Sequence, residues 1–190
     1  MSTGGTTGAA VTAVILDDMK DHLRIDNTDS DDIILEYIDA AVQYIEDRTG
    51  RRIINTSDVD YFDSWGSYLE LSRYPVASLD SITYYDNDNA QQTLSSSLYV
   101  IDLDSRPTKV FVEYNAALPG ILSKLNSIAV NYTAGGGTTW AGAPETIKQA
   151  LYLLVGDWYN NRENSGEKKL SDISYGVEAL LGINKTNWGF

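Results

Sequence analysis

Cysteine is absent from the 190 residues, and histidine occurs once, at His22. The first absence excludes disulfides, thiol nucleophiles, thiolate metal sites and iron–sulfur clusters. The second excludes a histidine-cluster metal site, and a Ser-His-Asp triad has only His22 to build on. Basic residues are scarce: 14 Lys+Arg stand against 27 Asp+Glu, a formal net charge of −13. A surface this acidic repels a phosphate backbone and argues against a sequence-reading nucleic-acid binder. It equally disfavours an anionic membrane surface. No run approaches the roughly 18 apolar residues of a membrane-spanning helix. The opening MSTGGTTGAAVTAVIL carries an apolar run from Ala9 to Leu16 with no positive charge before it. The expectation is therefore a flexible Gly/Thr/Ser arm over residues 1–13, not a secretory signal, in a protein working in a cytoplasm or in a particle assembled there.

What is present reads as one folded domain. Hydrophobic residues make up 43% of the chain, enough for a core without staples at a length that buries roughly 70% of the unfolded surface. The charge is lopsided. Residues 1–95 hold 18 acids and 6 bases (−12), whereas residues 96–190 hold 9 and 8 (−1).

Residues 14–25 space Leu16, Met19 and Leu23 at helical intervals. An acidic turn, DNTDSDD (26–32), precedes a stronger helix over 31–49. Ile34, Ile38, Ala41, Val42 and Ile45 share one of its faces, Ser30 or Thr28 can cap it, and Gly50 stops it. From 58 to 134 the period changes to two, and Asp/Asn/Ser/Gly/Pro punctuation divides five or six antiparallel strands ending in a glycine hinge, TAGGG. A long helix follows over 144–163, with Pro144 at its start and Ile147, Ala150, Leu151, Leu154, Val155 and Trp158 on its apolar face. Residues 164–190 read as a tail with a short amphipathic piece. The fold expected is α+β: a small helical bundle (14–55 with 144–163), an inserted antiparallel β unit (58–134) and an extended C-terminal tail, all in a single domain.

The motifs assign no chemistry. As a calcium loop, DNTDSDD fails at position six, which is Asp31 rather than Gly, and at position twelve, which is Tyr37 rather than Glu. Helix-capping acids account for it better. No GxSxG surrounds a serine, and AGGGTTWAGAP lacks the lysine of a phosphate-cradling loop. Carboxylates are plentiful, but abundance does not pair them for hydrolysis. Tyr and Trp in the strands can form a carbohydrate platform, yet they are also what half-buried strands prefer. No catalytic residue, metal ligand or cofactor is assigned.

Four segments in order carry a resemblance. DHLRIDNTDSDDIILEYIDAAVQYIEDRTGR (21–51) has a short helix, an acidic turn and a helix with a TGR-like stop. ELSRYPVASLDSITYYD (70–86) follows. NYTAGG (131–136), Pro144 and ALYLLVGDWYNNRE (150–163) come next, and YGVEALL (175–181) closes the set. Together they resemble the head–tail connector (adaptor, head-completion) family of tailed bacteriophages over most of residues 14–181; the ending GINKTNWGF departs from it. The resemblance implies a non-enzymatic structural virion protein at the head–tail junction. It implies a ring, usually of twelve copies, that docks on a portal protein, meets tail-side completion or tail proteins, and passes genomic DNA without sequence-specific binding or membrane contact. Within that reading, Tyr175, Val177, Leu180, Leu181 and Trp188 are the expected contacts with portal or neighbouring subunit, from a tail poorly ordered when free. The other outcome is a strip folded back on its own domain. Asp29, Asp31, Asp86 and Asp88 are the acids expected to face the channel, with the outer rim as their other location. Two other classes remain open: a β-rich carbohydrate- or protein-binding module, and a carboxylate hydrolase.

Overall fold

The computed structural model describes residues 9–113, 117–161 and 175–185. They form two compact units: a helical unit made of the described residues up to Ile54 and from Gly137 onward, and a β unit, Asn55–Gly136.

The helical unit contains α1 (Ala9–Leu23), α2 (Asp31–Thr49), α3 (Glu145–Asn160) and α4 (Tyr175–Ile183). Helix α1 starts five residues earlier than the spacing of leucines indicates, so the expected arm over 1–13 overlaps it; Ala9, Ala10 and Ala13 are strong helix formers that extend it upstream. Residues 1–8 lie outside the described ones. Arg24, in the left-handed region (φ 58°), ends this helix. Ile15 and Met19 of α1, Ile34, Ile38, Ala41 and Ile45 of α2, and Ile147, Ala150, Leu151 and Val155 of α3 are fully buried together. Each large one contributes about 1.5–3 kcal/mol. Trp158, expected on this buried face, is only partly buried and packs edge-on against Tyr37, with ring centroids 6.2 Å apart.

The end of α2 is closed by its own sequence. Gly50 adopts the left-handed conformation (φ 74°) and its N–H donates to the Glu46 carbonyl. The Thr49 hydroxyl donates to the Ile45 carbonyl (2.7 Å) and accepts from the Arg51 N–H (3.2 Å). The chain then turns back so that Arg52 Nη1 reaches Glu46 Oε2 at 2.6 Å, while the Ile53 N–H donates to Glu46 Oε1 at 2.9 Å. Both charged side chains are buried, at 5% and 11% exposure. The TGR-like stop is thus a hydrogen-bonded cap around one carboxylate.

The β unit has seven strands among the described residues: β1 (Thr56–Phe62), β2 (Tyr68–Glu70), β3 (Val76–Tyr85), β4 (Gln91–Thr93), β5 (Tyr99–Asp102), β6 (Lys109–Val112) and β7 (Ile128–Ala134). They make two antiparallel sheets, ordered β1-β7-β3-β4 and β2-β6-β5. Their inner faces share one core containing Leu69, Val110, Ile82, Ile128, Val130 and Tyr132. Strand β3 is bulged at Ala77 and Asp80, where its register on β7 slips. The slips put Val76, Leu79 and Ile82 on the core side at intervals of three. Strand β1 turns Asp58 and Asp60 inward and Val59 and Tyr61 outward. Asp60 accepts from the Ser72 N–H and hydroxyl (2.6 Å each) and from the Tyr132 hydroxyl (2.9 Å). Burial, reinforced by the Asp60 charge, pushes the Tyr132 hydroxyl well above the ordinary tyrosine value.

Removing one member of a buried ion pair strands the other, at a cost of about 3–5 kcal/mol. Glu46→Ala should therefore lower the unfolding free energy by that amount in urea titration. Asp39→Ala, at an exposed position of the same helix, should change it by less than about 0.5 kcal/mol.

Candidate interaction surfaces

The acids expected to face the channel do not form one group. Asp29 and Asp31 belong to the helical unit, Asp86 and Asp88 to the β unit. Asp29 is exposed in the α1–α2 turn, where its N–H donates to Asn27 Oδ1 (3.2 Å). Asp31 is half-buried and its carboxylate takes Lys20 Nζ at 2.8 Å, tying the start of α2 to α1. Asp86 organises the β3–β4 hairpin: it accepts from the Asp88 N–H (3.0 Å), the Ala90 N–H (2.9 Å) and Gln92 Nε2 (2.9 Å). These hydrogen bonds, that from Gln92 first, hold its carboxyl below the usual carboxylate range. Asp88 stands exposed at the tip. Of the four, Asp29 and Asp88 present charge to solvent, while Asp31 and Asp86 spend theirs on local structure. Among the described residues, no three His, Asp or Glu side chains converge to hold a metal.

The tail residues are also divided. Tyr175 is 92% exposed, but Val177 and Leu181 are each 1% exposed, inside the helical core, with Leu180 partly buried against it. Trp188 lies outside the described residues. The detached docking strip expected from Val177 and Leu181 is therefore corrected: these two, four residues apart on one face, pack on their own unit. A nine-residue helix cannot stand alone, and α2 and α3 offer it an apolar surface within the same chain.

Polar contacts fix α4 in that position. Glu178 receives the Tyr44 hydroxyl (3.0 Å), Arg48 Nε (3.3 Å) and Arg48 Nη2 (2.9 Å). Asn184 Nδ2 donates to the Thr146 hydroxyl at 2.7 Å. The Arg48 hydrogen bonds, then the Tyr44 one, hold the Glu178 carboxyl below its ordinary value. Burial, then Glu178, raises the Tyr44 hydroxyl. Sequence reading missed this trio. Tyr44 and Arg48 stand one turn apart on α2, which is legible, but nothing in the sequence pairs them with a glutamate 130 residues later.

Among the described residues, aromatic rings do not assemble into a broad platform. Tyr74 and Tyr132 are buried, and Trp65 is half-buried, donating through Nε1 to the Pro119 carbonyl (3.1 Å) and meeting Tyr84 edge-on. The exposed neighbours are Tyr68 and Phe111, on the three-stranded sheet.

Comparison with known proteins supplies the context for these surfaces. Residues 14–99 match the family model of phage gp6-like head-tail connector proteins. The chain is similar to a solved structure described as the neck of an empty GTA particle computed with C6 symmetry, at 23% identity and a TM-score of 0.79. It is also similar to one from the neck of a native GTA particle computed with C12 symmetry, at 25% identity and a TM-score of 0.77. A third match, at 25% identity and a TM-score of 0.76, comes from the virion of a native gene transfer agent (GTA) particle. Each alignment covers 98% of this chain and 95% of the other. No curated protein matches the sequence.

A carboxylate with a lowered folded pKa adds stability above its ordinary value and loses it as pH falls through the folded one. Glu178 is such a group. The stability difference between the wild type and Glu178→Gln should be present at pH 7 and close below the ordinary carboxylate range, about pH 4. Parallel thermal melts across pH 2.5–7 would measure it, and a gap that persists at the acid end contradicts the assignment.

Proposed function

We propose that this chain, whose resemblance to the head–tail connectors of tailed phages holds over residues 14–99, is a structural virion protein of the head–tail junction. Copies of it form a ring that extends the DNA channel between a portal protein and the tail-side proteins. The observation that carries this reading is whole-chain likeness: a solved structure from a C12 neck aligns over 98% of the chain, including the end of the β unit and helices α3 and α4, which lie beyond the family match. The β-rich carbohydrate-binding alternative is not favoured, since the strand aromatics are mostly buried or half-buried. The role needs no catalysis.

Charge fits a passage wall. DNA carries one negative charge per roughly 1.7 Å of axis, and a wall bearing lysines would hold it. Exposed carboxylates such as Asp29 and Asp88 instead repel it over about 8 Å at physiological salt. Asp31 and Asp86 contribute less, because an ion pair with Lys20 and the hairpin hydrogen bonds engage them. Twelve copies at −13 each also repel one another, so ring closure relies on charge pointing into water or toward basic partner surfaces.

Native mass spectrometry of the chain alone and with a portal protein tests the ring; the expected outcome is a portal-bound ring. A chain that remains monomeric under both conditions and is missing from purified particles overturns the proposal. For the wall, Asp29→Lys with Asp88→Lys should slow DNA ejection from assembled particles, with no loss of thermal stability. Asp86→Lys should lower the melting temperature through the hairpin, so it is the wrong probe of the channel. Ejection unchanged in the Asp29/Asp88 variant assigns those acids to the outer rim.

A further inference from the structure

Three of the large apolar side chains exposed among the described residues stand on the three-stranded sheet: Tyr68, Val100 and Phe111. The register joins them in one row. Tyr68 stands opposite Phe111 across β2 and β6, and Phe111 opposite Val100 across β6 and β5. The alternate residues Leu69, Val110 and Ile101 point to the core, so this row faces outward. The Tyr68 and Phe111 rings lie 5.7 Å apart. A second row on the same face, Glu70, Lys109 and Asp102, alternates in sign, with Lys109 Nζ 4.5 Å from the centre of the Tyr68 ring. Cross-strand ring pairing explains Tyr68 and Phe111 as sheet stabilisers. It does not explain why Val100, at 52% exposure, continues the row.

We propose that this face is the contact between neighbouring copies of this chain in the ring, an inference that rests on the connector reading. Charge selects the second copy as the occupant. Subunits at −13 each can approach only where their surfaces are least acidic, and this face offers an apolar row beside a ladder with a net charge of −1. The alternating ladder sets the register of whatever lies on it, because like charges placed opposite one another are penalised. In a ring each copy uses two different patches, so the face need not be self-complementary. Its size matches a ring better than a pair. Three side chains at this exposure offer at most a few hundred Å², below the roughly 800 Å² per partner of a stable complex. Two free copies therefore separate, and the contact persists once every copy has two neighbours.

The absence of cysteine makes the test clean, since Val100→Cys introduces the only thiol. Maleimide labelling of this variant would be timed on the free subunit and on assembled rings or particles, with ring formation checked by electron microscopy. Labelling at least about tenfold slower in the homomeric ring than in the free subunit supports the contact. Equal rates in a ring that has visibly formed overturn it and leave the connector reading standing. Protection that appears only when portal or tail proteins are added to a preformed ring also overturns it, since a different protein then covers the face. No ring of this chain in any sample overturns the connector reading and this inference together. As a second variant, Val100→Lys, outside the aromatic pair, should lower ring yield about tenfold, a loss of roughly 1.4 kcal/mol per assembly equilibrium, with the melting temperature of the free subunit unchanged. Full ring yield from Val100→Lys overturns the proposal.

Discussion

Strand β1 pairs with β7 so that Thr56 lies opposite Ala134. That register is the constraint on which the rest depends. Paired residues in an antiparallel ladder are about 4.5–5.5 Å apart, so the β unit begins and ends at nearly one point. To the helical chain, some eighty residues of β structure are then a short connection between α2 and α3. Those two helices can pack Ile38 and Ile45 against Ile147 and Leu151 as they would if they were consecutive. The glycine-rich exit serves the same closure. Gly135, at φ 155°, donates its N–H to the Pro75 carbonyl, and Gly137 follows at φ 144°, a backbone that side-chain-bearing residues rarely adopt. At the other junction, the cap around Glu46 stops α2 and turns the chain before β1 starts.

Much of the helical unit was legible because its signals are local. Apolar residues at helical spacing, Gly50 at the stop and Pro144 at the start bound α2 and α3 to within a few residues, and Pro144 proves to be the cap residue itself. The β unit was legible as strands but not as sheets. The two bulges in β3 break the period of two where the sequence reads SLDSI, and no local signal marks them. Strand β1 misleads more strongly. TSDVDYF suggests Val59 and Tyr61 inside, whereas pairing with β7 turns Asp58 and Asp60 inward. A long-range register outranked the local pattern because Ser72 and Tyr132 supply the hydrogen bonds that make an inward acid tolerable. Inward charge on an edge strand also discourages unwanted strand addition.

The surfaces were the least legible part, for a related reason. A carboxylate in a loop looks the same in sequence whether it meets water or a partner. Asp88 and Asp86 are two residues apart, yet one is exposed and the other is the acceptor around which a hairpin turns. Val177 and Leu181 look like a free strip until the groove that receives them is known. That groove is built by α3 together with α2, the latter more than a hundred positions earlier, and Glu178 clasps Tyr44 and Arg48 of α2 beside it.

The same surfaces bear on the proposed assembly of so acidic a chain. Its net charge opposes every self-contact, and in water the penalty between two unit charges 4 Å apart is only about 1 kcal/mol, growing severalfold where a contact excludes solvent. Contacts between copies are thereby restricted to places where charge is sparse or balanced before they form. The helical unit spends two of its arginines internally, Arg48 on Glu178 and Arg52 on Glu46, so they are not available to soften the acidity of α1 and α2. The three-stranded sheet does the reverse: it holds Lys109 between two carboxylates beside an apolar row, leaving a face that is almost neutral. An interface that is apolar and nearly neutral strengthens as salt screens the surrounding repulsion, whereas one built on charge pairs weakens. The proposed ring of this chain should therefore be favoured by salt, which separates such contacts from any charge-paired docking on a basic partner.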